Sequence, residues 1–270
     1  MDTLPPRPES LTIDALLDAA LAAGREIMSV YAGDFSVVEK PDATPVTEAD
    51  LRAEAVILAR LAKLAPGIPV VAEEAAAAGE VPEVAGRFFL VDPLDGSREF
   101  IARNGEFTVN IALVEHGVPT LGVVHAPALG TIWWGETGKG AFAATVTDGE
   151  LSEPRAIACG PCGPEGMRVV GSRSHAAPAE ADYLKTIPVA ALVAAGSSLK
   201  FCLLAEGRAD LYPRFGRTME WDTAAGDAIL RAAGGTVETL DSQPLAYGKR
   251  NRPGEADFAN PHFIARAGRG

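Results

Sequence analysis

The stretch Val91-Asp92-Pro93-Leu94-Asp95-Gly96-Ser97 places two carboxylates, three residues apart, directly after an apolar strand predicted over residues 88–91. The proline between them restricts the backbone and fixes the turn. Such a turn can bring both carboxylates and the carbonyl of Leu94 around one cation, because hard divalent ions prefer oxygen ligands. Gly96 then allows the backbone to approach a ligand closely.

The same stretch predicts a phosphate site beside the cation. If a helix starts near Ser97, the free amides of Gly96 and Ser97, together with the helix dipole, form a cradle for phosphate oxygens. The alternative is an ordinary turn in which Ser97 is a helix N-cap, and this stretch alone favours that alternative. The other acidic motifs of the chain favour the metal and phosphate site.

Further carboxylates stand at two other predicted element boundaries. Glu73 and Glu74 follow a short buried strand over residues 69–72, and Asp222 opens a helix after Trp221. Each also has an ordinary explanation, since adjacent glutamates are usually solvated and an aspartate in a first helical turn complements the dipole. Four carboxylates in one cleft would repel one another strongly, so their convergence requires cations.

Asp50 lies in the pattern Thr47-x-x-Asp50, which matches a helix capping box. Capping and catalysis are compatible functions here. A capped helix terminus is a rigid place from which a carboxylate can reach a water molecule.

Two loops offer contacts for phosphate. Gly171-Ser172-Arg173-Ser174-His175 follows a predicted strand, and Gly196-Ser197-Ser198-x-Lys200 precedes a predicted helix. Backbone amides and hydroxyls suit phosphate oxygens, while Lys200 and Arg214 supply positive charge. The alternative for Arg173, Lys200 and Arg214 is a solvated cation or a surface ion pair.

The composition is that of an ordinary globular protein, with 270 residues of which 47% are hydrophobic and 22% charged. A formal net charge of −12 argues against nucleic acid and anionic membranes as partners. Three cysteines are too few for a disulfide framework and fit a reducing compartment, so we expect a cytoplasmic location. No apolar run approaches the roughly 20 residues that span a bilayer, and the first residues do not resemble a secretory signal.

Hydrophobic periodicity predicts two N-terminal helices, over residues 13–31 and 47–64. An antiparallel meander follows, with strands over residues 108–114, 121–125 and 131–134. After residue 150, short strands (168–170, 191–193, 209–212 and 236–238) alternate with helices (178–185, 198–206 and 223–233). We therefore predict an N-terminal domain over residues 1–150 and a C-terminal domain over residues 151–270.

Together these motifs resemble the inositol monophosphatase-like, lithium-sensitive phosphatases, and among them the 3′(2′),5′-bisphosphate nucleotidases. The segments that carry the resemblance stand in the family's order: Pro45-Val46-Thr47-Glu48-Ala49-Asp50, Ala72-Glu73-Glu74, residues 91–101, residues 103–113 and Trp221-Asp222-Thr223-Ala224-Ala225-Gly226. The similarity extends from about residue 11 to residue 265. Residues 103–107 and 196–202 resemble the nucleotidase branch more than the inositol branch.

The resemblance implies a fold of the α/β class, a layered αβαβα sandwich. It also implies hydrolysis of adenosine 3′,5′-bisphosphate to AMP and phosphate in sulfate assimilation, with inhibition by lithium. Two or three Mg²⁺ ions are implied, and their ligands would be Glu73, Asp92, Asp95, Asp222 and the Leu94 carbonyl.

The resemblance further assigns the catalytic residues. Asp50 and Glu73 would act on the attacking water together with the hydroxyl of Ser97, which stands where the family has threonine. The substrate contacts that it implies are Gly96, Ser97, Arg173, Ser174, Ser197, Ser198, Lys200, Arg214, Glu220 and Asp222.

Two alternatives to the nucleotidase remain open from the sequence. One is an inositol monophosphatase or another sugar-phosphate phosphatase, because the metal motif is shared. The other is a nucleotide sensor that binds without turnover. A homodimer and a peripheral association with the inner membrane also remain open.

Overall fold

The computed structural model of the chain describes residues 4–39, 45–172 and 178–268. Arg173, Ser174 and most of the polar loop predicted over residues 40–45 lie outside these ranges. The described residues form the α-helices α1 (Ile13–Tyr31), α2 (Glu48–Leu64), α3 (Glu73–Ala77), α4 (Ser97–Ile101), α5 (Pro178–Leu184), α6 (Leu199–Ala205) and α7 (Glu220–Ala232).

The N-terminal part of the chain builds a large sheet after a short ribbon of β1 (Val37–Glu39) and β2 (Pro45–Thr47). Its strands are β3 (Val70–Ala72), β4 (Arg87–Asp95), β5 (Thr108–Glu115), β6 (Val118–Ala126), β7 (Thr131–Glu136), β8 (Gly140–Thr147), β9 (Glu150–Leu151) and β10 (Arg155–Ile157). They lie in the order β10-β8-β7-β6-β5-β4-β3, and β9 extends β8 as a hairpin. Strands β5 to β7 are the predicted antiparallel meander, which β4 and β8 extend on either side, and within the described part of this sheet only β3 runs parallel to its neighbour.

A second sheet follows, with strands β11 (Met167–Ser172), β12 (Val189–Ala195), β13 (Leu211–Arg214), β14 (Thr236–Thr239) and β15 (Phe263–Arg266). Their order is β12-β11-β13-β15-β14. Strand β11 pairs in parallel with β12 and β13, whereas β15 runs antiparallel to β13 and β14. The carboxyl ends of β11 and β12 lead into the two loops that were predicted to bind phosphate.

The helices and the two sheets stack in five layers, which pack against one another through three hydrophobic cores. Helices α1 and α2 cover the outer face of the first sheet, where Leu16 and Ile57 pack in one core with Phe89. Helices α6 and α7 fill the space between the two sheets. Helix α5 covers the outer face of the second sheet, because its Tyr183 packs against the core around Val169. The predicted αβαβα sandwich is thus confirmed.

Helix α7 lies directly on the first sheet because two glycines leave room for it. A Cβ added at Gly122 of β6 would lie 2.4 Å from the carbonyl oxygen of Ala225. A Cβ added at Gly135 of β7 would lie 2.7 Å from the Cα of Ile229. This close packing fixes the distance between α7 and the first sheet, and with it the position of Asp222 in the first turn of the helix.

Most predicted elements are present, with shifted boundaries. Helix α7 starts at Glu220, not at residue 223, because the carboxylate of Asp222 caps the helix at Met219. Strands β1, β2, β8, β9, β10 and β15 and the short helix α3 were not predicted as elements, and α4 was considered only as a helix that would start near Ser97. The division into domains over residues 1–150 and 151–270 stays a prediction. Among the helices of the described ranges, none is both long and apolar enough to cross a membrane.

Candidate active site

A bulge in β4 aims Asp92 and Asp95 at the same space. Asp92 pairs with Asn110 of β5 and Asp95 pairs with Thr108, so three steps along β4 match two steps along β5. The extra residue lies at Pro93-Leu94, where proline has no amide to give to the ladder. The two carboxylates come close enough that the charge of Asp95 helps to raise the pKa of Asp92.

Asp92 is the most enclosed carboxylate of this group, with 1% of its surface exposed. Its Oδ1 accepts a hydrogen bond from the amide of Leu94 at 3.0 Å. Burial raises the pKa of Asp92 well above its ordinary value, and the nearby charges of Glu73, Asp95 and Asp222 add to that effect. A buried carboxylate among like charges is stable as an anion only when cations accompany it.

Asp50 and Asp222 are placed by helix caps. Asp50 Oδ2 accepts from the amide of Thr47 at 2.8 Å, and Asp222 Oδ2 accepts from the amide of Met219 at 2.8 Å. Burial is the largest cause that raises the pKa of each of the two. For Asp222, the charges of Asp95 and Glu73 come next.

Ser97 lies beside Asp50. The Ser97 hydroxyl donates to Asp50 Oδ1 at 3.4 Å, so the predicted pair is formed with a long hydrogen bond. Ser97 opens α4 directly after Gly96, whose φ of 96° lies in the left-handed region that favours glycine.

Glu73 is the first residue of α3, at the end of β3. The start of this short helix is held by a buried glutamate on α2. Glu54 Oε2 accepts from the amide of Glu74 at 2.8 Å, and Glu54 Oε1 accepts from the amide of Ala75 at 2.9 Å. Because Glu54 is four residues after Asp50, the same face of α2 supports two parts of the site.

Asp95 is held by side chains from two different elements. Its Oδ2 accepts from Asn110 Nδ2 at 3.3 Å and lies 3.1 Å from Ser198 Oγ. Burial raises the pKa of Asp95, while Lys200, Ser198 and Asn110 act in the opposite direction. These contacts therefore orient the Asp95 carboxylate, but they offset the effect of its burial only in part.

The donor set fits a hard divalent cation. Asp92, Asp95 and Asp222 each use one carboxylate oxygen in a hydrogen bond, and within the described residues the other oxygen accepts none. Mg²⁺ prefers such oxygen ligands. Within the described ranges, no three His, Cys, Asp or Glu side chains are already drawn together as metal ligands.

A cavity of about 170 Å³, called here the basic cavity because two cations line it, also has the carboxylates Asp95, Glu99 and Asp222 in its wall. Lys200 and Arg214 line it, and Lys200 Nζ donates to the Ser197 carbonyl at 2.7 Å. Burial lowers the pKa of Lys200 to about 8. The Nε of Arg214 is buried and has no hydrogen-bond partner among the described residues.

Gly96, which follows β4, lies against Ser197, which is in the loop before α6. A Cβ added at Gly96 would lie 2.2 Å from Ser197 Oγ. The Ser197 hydroxyl lies 2.8 Å from the carbonyl oxygen of Asp95 and 2.7 Å from that of Glu106. Ser197 lines the cavity, but its single proton is already directed at backbone carbonyls.

Two predicted substrate contacts need correction. Glu220 is 0% exposed, and its carboxylate accepts from the amides of Gly248 at 2.6 Å and Lys249 at 2.9 Å. Ser198 is 1% exposed and lies behind the cavity wall. Both residues therefore stabilise the structure around the cavity and do not line it.

The sequence interpretation assigned no function to three residues that build this site: Asn110, Glu54 and Glu106. Asn110 is a polar residue inside an otherwise apolar strand and is 1% exposed, which is the signal that would have marked it. Glu54 follows Asp50 at helical spacing. Glu106 Oε2 accepts from the amide of Gly196 at 2.8 Å.

A second cavity, of about 500 Å³, opens on the other side of Asp222. Its wall is more apolar and includes Trp221 and Phe258, with Glu73 at one end. The acidic cluster thus lies between a basic cavity and an apolar one.

Comparison with known proteins places this site in a family. The sequence profile of the inositol monophosphatase family matches residues 9–267. A protein of Shigella flexneri named 3′(2′),5′-bisphosphate nucleotidase CysQ is 46% identical over 253 residues, which cover 93% of this chain and 98% of that protein. The protein of the same name from Buchnera aphidicola is 39% identical, over 94% of this chain and 93% of its own length.

Solved structures give the same result. The crystal structure of CysQ from Bacteroides thetaiotaomicron, described as a bacterial member of the inositol monophosphatase family, has a TM-score of 0.78 and 38% identity. The match covers 96% of this chain and 99% of that one. Inositol monophosphatase from Anabaena is similar with a TM-score of 0.72 and 26% identity, over 95% of this chain and 90% of its own. This chain belongs to the inositol monophosphatase family.

Proposed function

We propose that this protein is a Mg²⁺-dependent 3′(2′),5′-bisphosphate nucleotidase, a phosphoric monoester hydrolase that converts adenosine 3′,5′-bisphosphate to AMP and phosphate. One observation carries the proposal: a cluster of carboxylates adjoins a cavity that presents two cations, Lys200 and Arg214. The carboxylates suit metal ions and the reacting phosphate, and the cations suit a second phosphate on the same molecule. The names of the relatives described above agree with such a substrate.

The metal ligands in this proposal are Glu73, Asp92, Asp95, Asp222 and the Leu94 carbonyl, which would hold two or three Mg²⁺ ions. Bound Mg²⁺ supplies charge that polarises the phosphoryl oxygens, activates a water molecule and stabilises the leaving alkoxide. The chain contributes oxygen atoms that are fixed before the metal arrives, because a backbone or side-chain donor holds one oxygen of each aspartate.

Asp50 and Ser97 orient the attacking water, with Glu73 nearby. The carboxylate of Asp50 cannot swing away, because Thr47 holds its Oδ2 through both the amide and the hydroxyl at 2.8 Å. Its Oδ1 faces the hydroxyl of Ser97. The raised pKa of the buried Asp50 makes it a better proton acceptor than a solvated aspartate.

The second phosphate lies at Lys200 and Arg214 in this proposal, and the reacting phosphate lies near Gly96 and Ser97. Lys200 is immobilised by its bond to the Ser197 carbonyl and by the ring of Tyr212, whose centroid is 5.4 Å from Nζ. A substrate with only one phosphate leaves these two cations without an anion. Leaving these cations unpaired costs binding free energy, and this cost makes the site selective for the bisphosphate.

We place the enzyme in the cytoplasm, where it would recycle adenosine 3′,5′-bisphosphate during sulfate assimilation and be inhibited by Li⁺. The low number of cysteines and the acidic net charge of −12 support this location. The homodimer, the peripheral membrane association and the contacts of Arg173 and Ser174 stay predictions.

The test is a comparison of kcat/KM for adenosine 3′,5′-bisphosphate and inositol 1-phosphate in Mg²⁺, repeated with EDTA. We expect release of phosphate from the nucleotide to dominate and to stop without metal. Faster hydrolysis of inositol 1-phosphate would establish the sugar-phosphate alternative. Tight binding of the nucleotide without turnover would establish the sensor instead.

A further inference from the structure

Ser198 is a junction between the two halves of the acidic cluster. It is 1% exposed, and its hydroxyl lies 2.7 Å from the carbonyl oxygen of Asp222 and 3.1 Å from Asp95 Oδ2. Asn110 Nδ2 donates to the same hydroxyl at 2.9 Å. One side chain thus contacts a carboxylate at the end of β4 and the first turn of α7.

The protons in this junction can be assigned. Thr108 Oγ1 donates to Asn110 Oδ1 at 3.0 Å, which turns the amide so that its NH₂ group faces the cluster. The two amide protons then point at Ser198 Oγ and Asp95 Oδ2. Ser198 accepts from Asn110 and has one proton to donate, and its shortest contact is to the Asp222 carbonyl.

The result is a buried relay that runs from Thr108 through Asn110 and Ser198 to the backbone of Asp222. Thr108 is 0% exposed and Asn110 is 1% exposed, so water cannot replace a lost member. Asn110 also holds Asp95, while Asp222 is aimed by its own helix. The relay therefore connects Asp95 of β4 to the backbone of Asp222 in α7, across two layers of the fold.

We infer that Asn110 and Ser198 are positioning residues that fix Asp95 relative to the first turn of α7, so that Asp95 and Asp222 can bind one divalent cation together. The inference rests on the proposed function. Neither side chain lines the basic cavity, so both act through the two aspartates. Removing groups that orient metal ligands typically weakens metal binding by about 10- to 100-fold.

The experiment measures Mn²⁺ binding by the loss of the free-ion EPR signal in wild type, Ser198→Ala, Asn110→Ala and the double variant. We expect each single variant to bind Mn²⁺ about 10-fold more weakly. The double variant should be scarcely weaker than either single one, because both belong to one relay. Independent effects, which multiply to about 100-fold in the double variant, would overturn the relay.

Ser152→Ala is the matched control, since the Ser152 hydroxyl accepts from the amide of Thr145 at 3.0 Å on a hairpin outside the site. It should leave Mn²⁺ affinity unchanged. Thermal melting without metal shows whether each variant is folded. If Ser198→Ala does not fold, Ser198→Cys carries the test, and we expect an intermediate Mn²⁺ affinity because a thiol is a weaker donor.

The outcomes separate the relay from the proposed function. Folded Ser198 and Asn110 variants with wild-type Mn²⁺ affinity would overturn the relay, even if the enzyme hydrolyses the nucleotide. Weakened Mn²⁺ binding in these variants, combined with a wild type that hydrolyses no bisphosphate, would support the relay and overturn the proposed function.

Discussion

Asp50 and Asp222 occupy the same position in two different helices: each is the third residue, and one carboxylate oxygen accepts from the amide of its own N-cap residue at 2.8 Å. The protein thus aims two carboxylates by the same local device. A capping contact is short-range and forms with the helix. It orients the whole carboxylate, and so it also fixes the direction of the oxygen that does not cap, without help from the metal. Each of the two carboxylates lies close enough to Glu73 that the charge of Glu73 helps to raise its pKa.

Because an amide can cap as well as a carboxylate, Asp222→Asn should separate folding from catalysis. We expect Asp222→Asn to keep the bond to the Met219 amide and to melt close to wild type. Asp222→Ala loses that bond and should cost about 1 kcal/mol. Both should reduce turnover at least about 100-fold, since a metal contact contributes several kcal/mol to the transition state.

Asp14→Asn is the control for Asp222→Asn, because it removes an exposed charge from the first turn of α1 outside the site. It should change neither turnover nor Mg²⁺ affinity. Normal turnover in Asp222→Asn would contradict the assignment of Asp222 as a metal ligand.

Gly96→Ala should destabilise the protein through one specific contact. The added Cβ would lie 2.2 Å from Ser197 Oγ, at a backbone φ of 96°. We expect a loss of about 1–3 kcal/mol in the free energy of unfolding, measured by urea denaturation. Ser197→Gly, at a residue whose φ is 50°, should recover part of that loss in the double variant. No recovery would show that the backbone conformation alone causes the damage.

The charge of Lys200 should give a pH-dependent selectivity. Burial lowers its pKa from 10.5 to about 8, so the side chain is cationic below that pH and becomes neutral above it. We expect kcat/KM for adenosine 3′,5′-bisphosphate to fall as pH rises through about 8. The fall should be weaker for adenosine 3′-monophosphate, which has no second phosphate.

Lys200→Arg provides the control for this profile, because a guanidinium stays protonated in this range. Its ratio of bisphosphate to monophosphate kcat/KM should be flat across the same pH values. A wild-type ratio that is equally flat would remove Lys200 from the second phosphate site.

Glu115 should make stability depend on acid pH. Burial alone would raise its pKa, but hydrogen bonds from Arg7, Thr120 and Arg87 outweigh that effect and lower it from 4.5 to about 2. Its contribution is therefore fully present above pH 4.5 and is lost as pH falls through about 2.

The measurement is the free energy of unfolding of wild type and Glu115→Gln between pH 2 and pH 7. We expect the variant to be less stable by about 2 kcal/mol near neutrality, with the difference shrinking as pH falls. Glu153→Gln, at an exposed position, should follow the wild type throughout. A difference that grows towards acid pH would contradict the assignment.

The sequence predicted those elements whose signals are local. Helix α1 begins after Thr12, whose hydroxyl accepts from the amide of Ala15, and α2 begins after Thr47 in the same way. Strand β8 was missed because its sequence, Gly140-Ala141-Phe142-Ala143-Ala144-Thr145-Val146-Thr147, is rich in small residues with weak strand preference. Helices α3 and α4 have five residues each, too few for a periodic signal.

The residues of the site also divide into those with a local sequence signal and those without one. Glu73 and the pair Asp92 and Asp95 were visible because each motif follows a short apolar run. Ser198 and Asn110 are 88 residues apart, and nothing local in either segment indicates that they meet. Glu220 was misjudged for the same reason, since the amides that bury its carboxylate lie 28 and 29 residues further along the chain.

Anomalous diffraction from a crystal soaked in Mn²⁺ tests most directly whether the acidic cluster binds divalent cations. We predict at least one strong peak within coordination distance of Asp92, Asp95 and Asp222, and its loss in crystals of Asp95→Asn. A fully occupied Mn²⁺ elsewhere on the protein, with no peak among these carboxylates, would contradict the proposed metal site and the mechanism built on it.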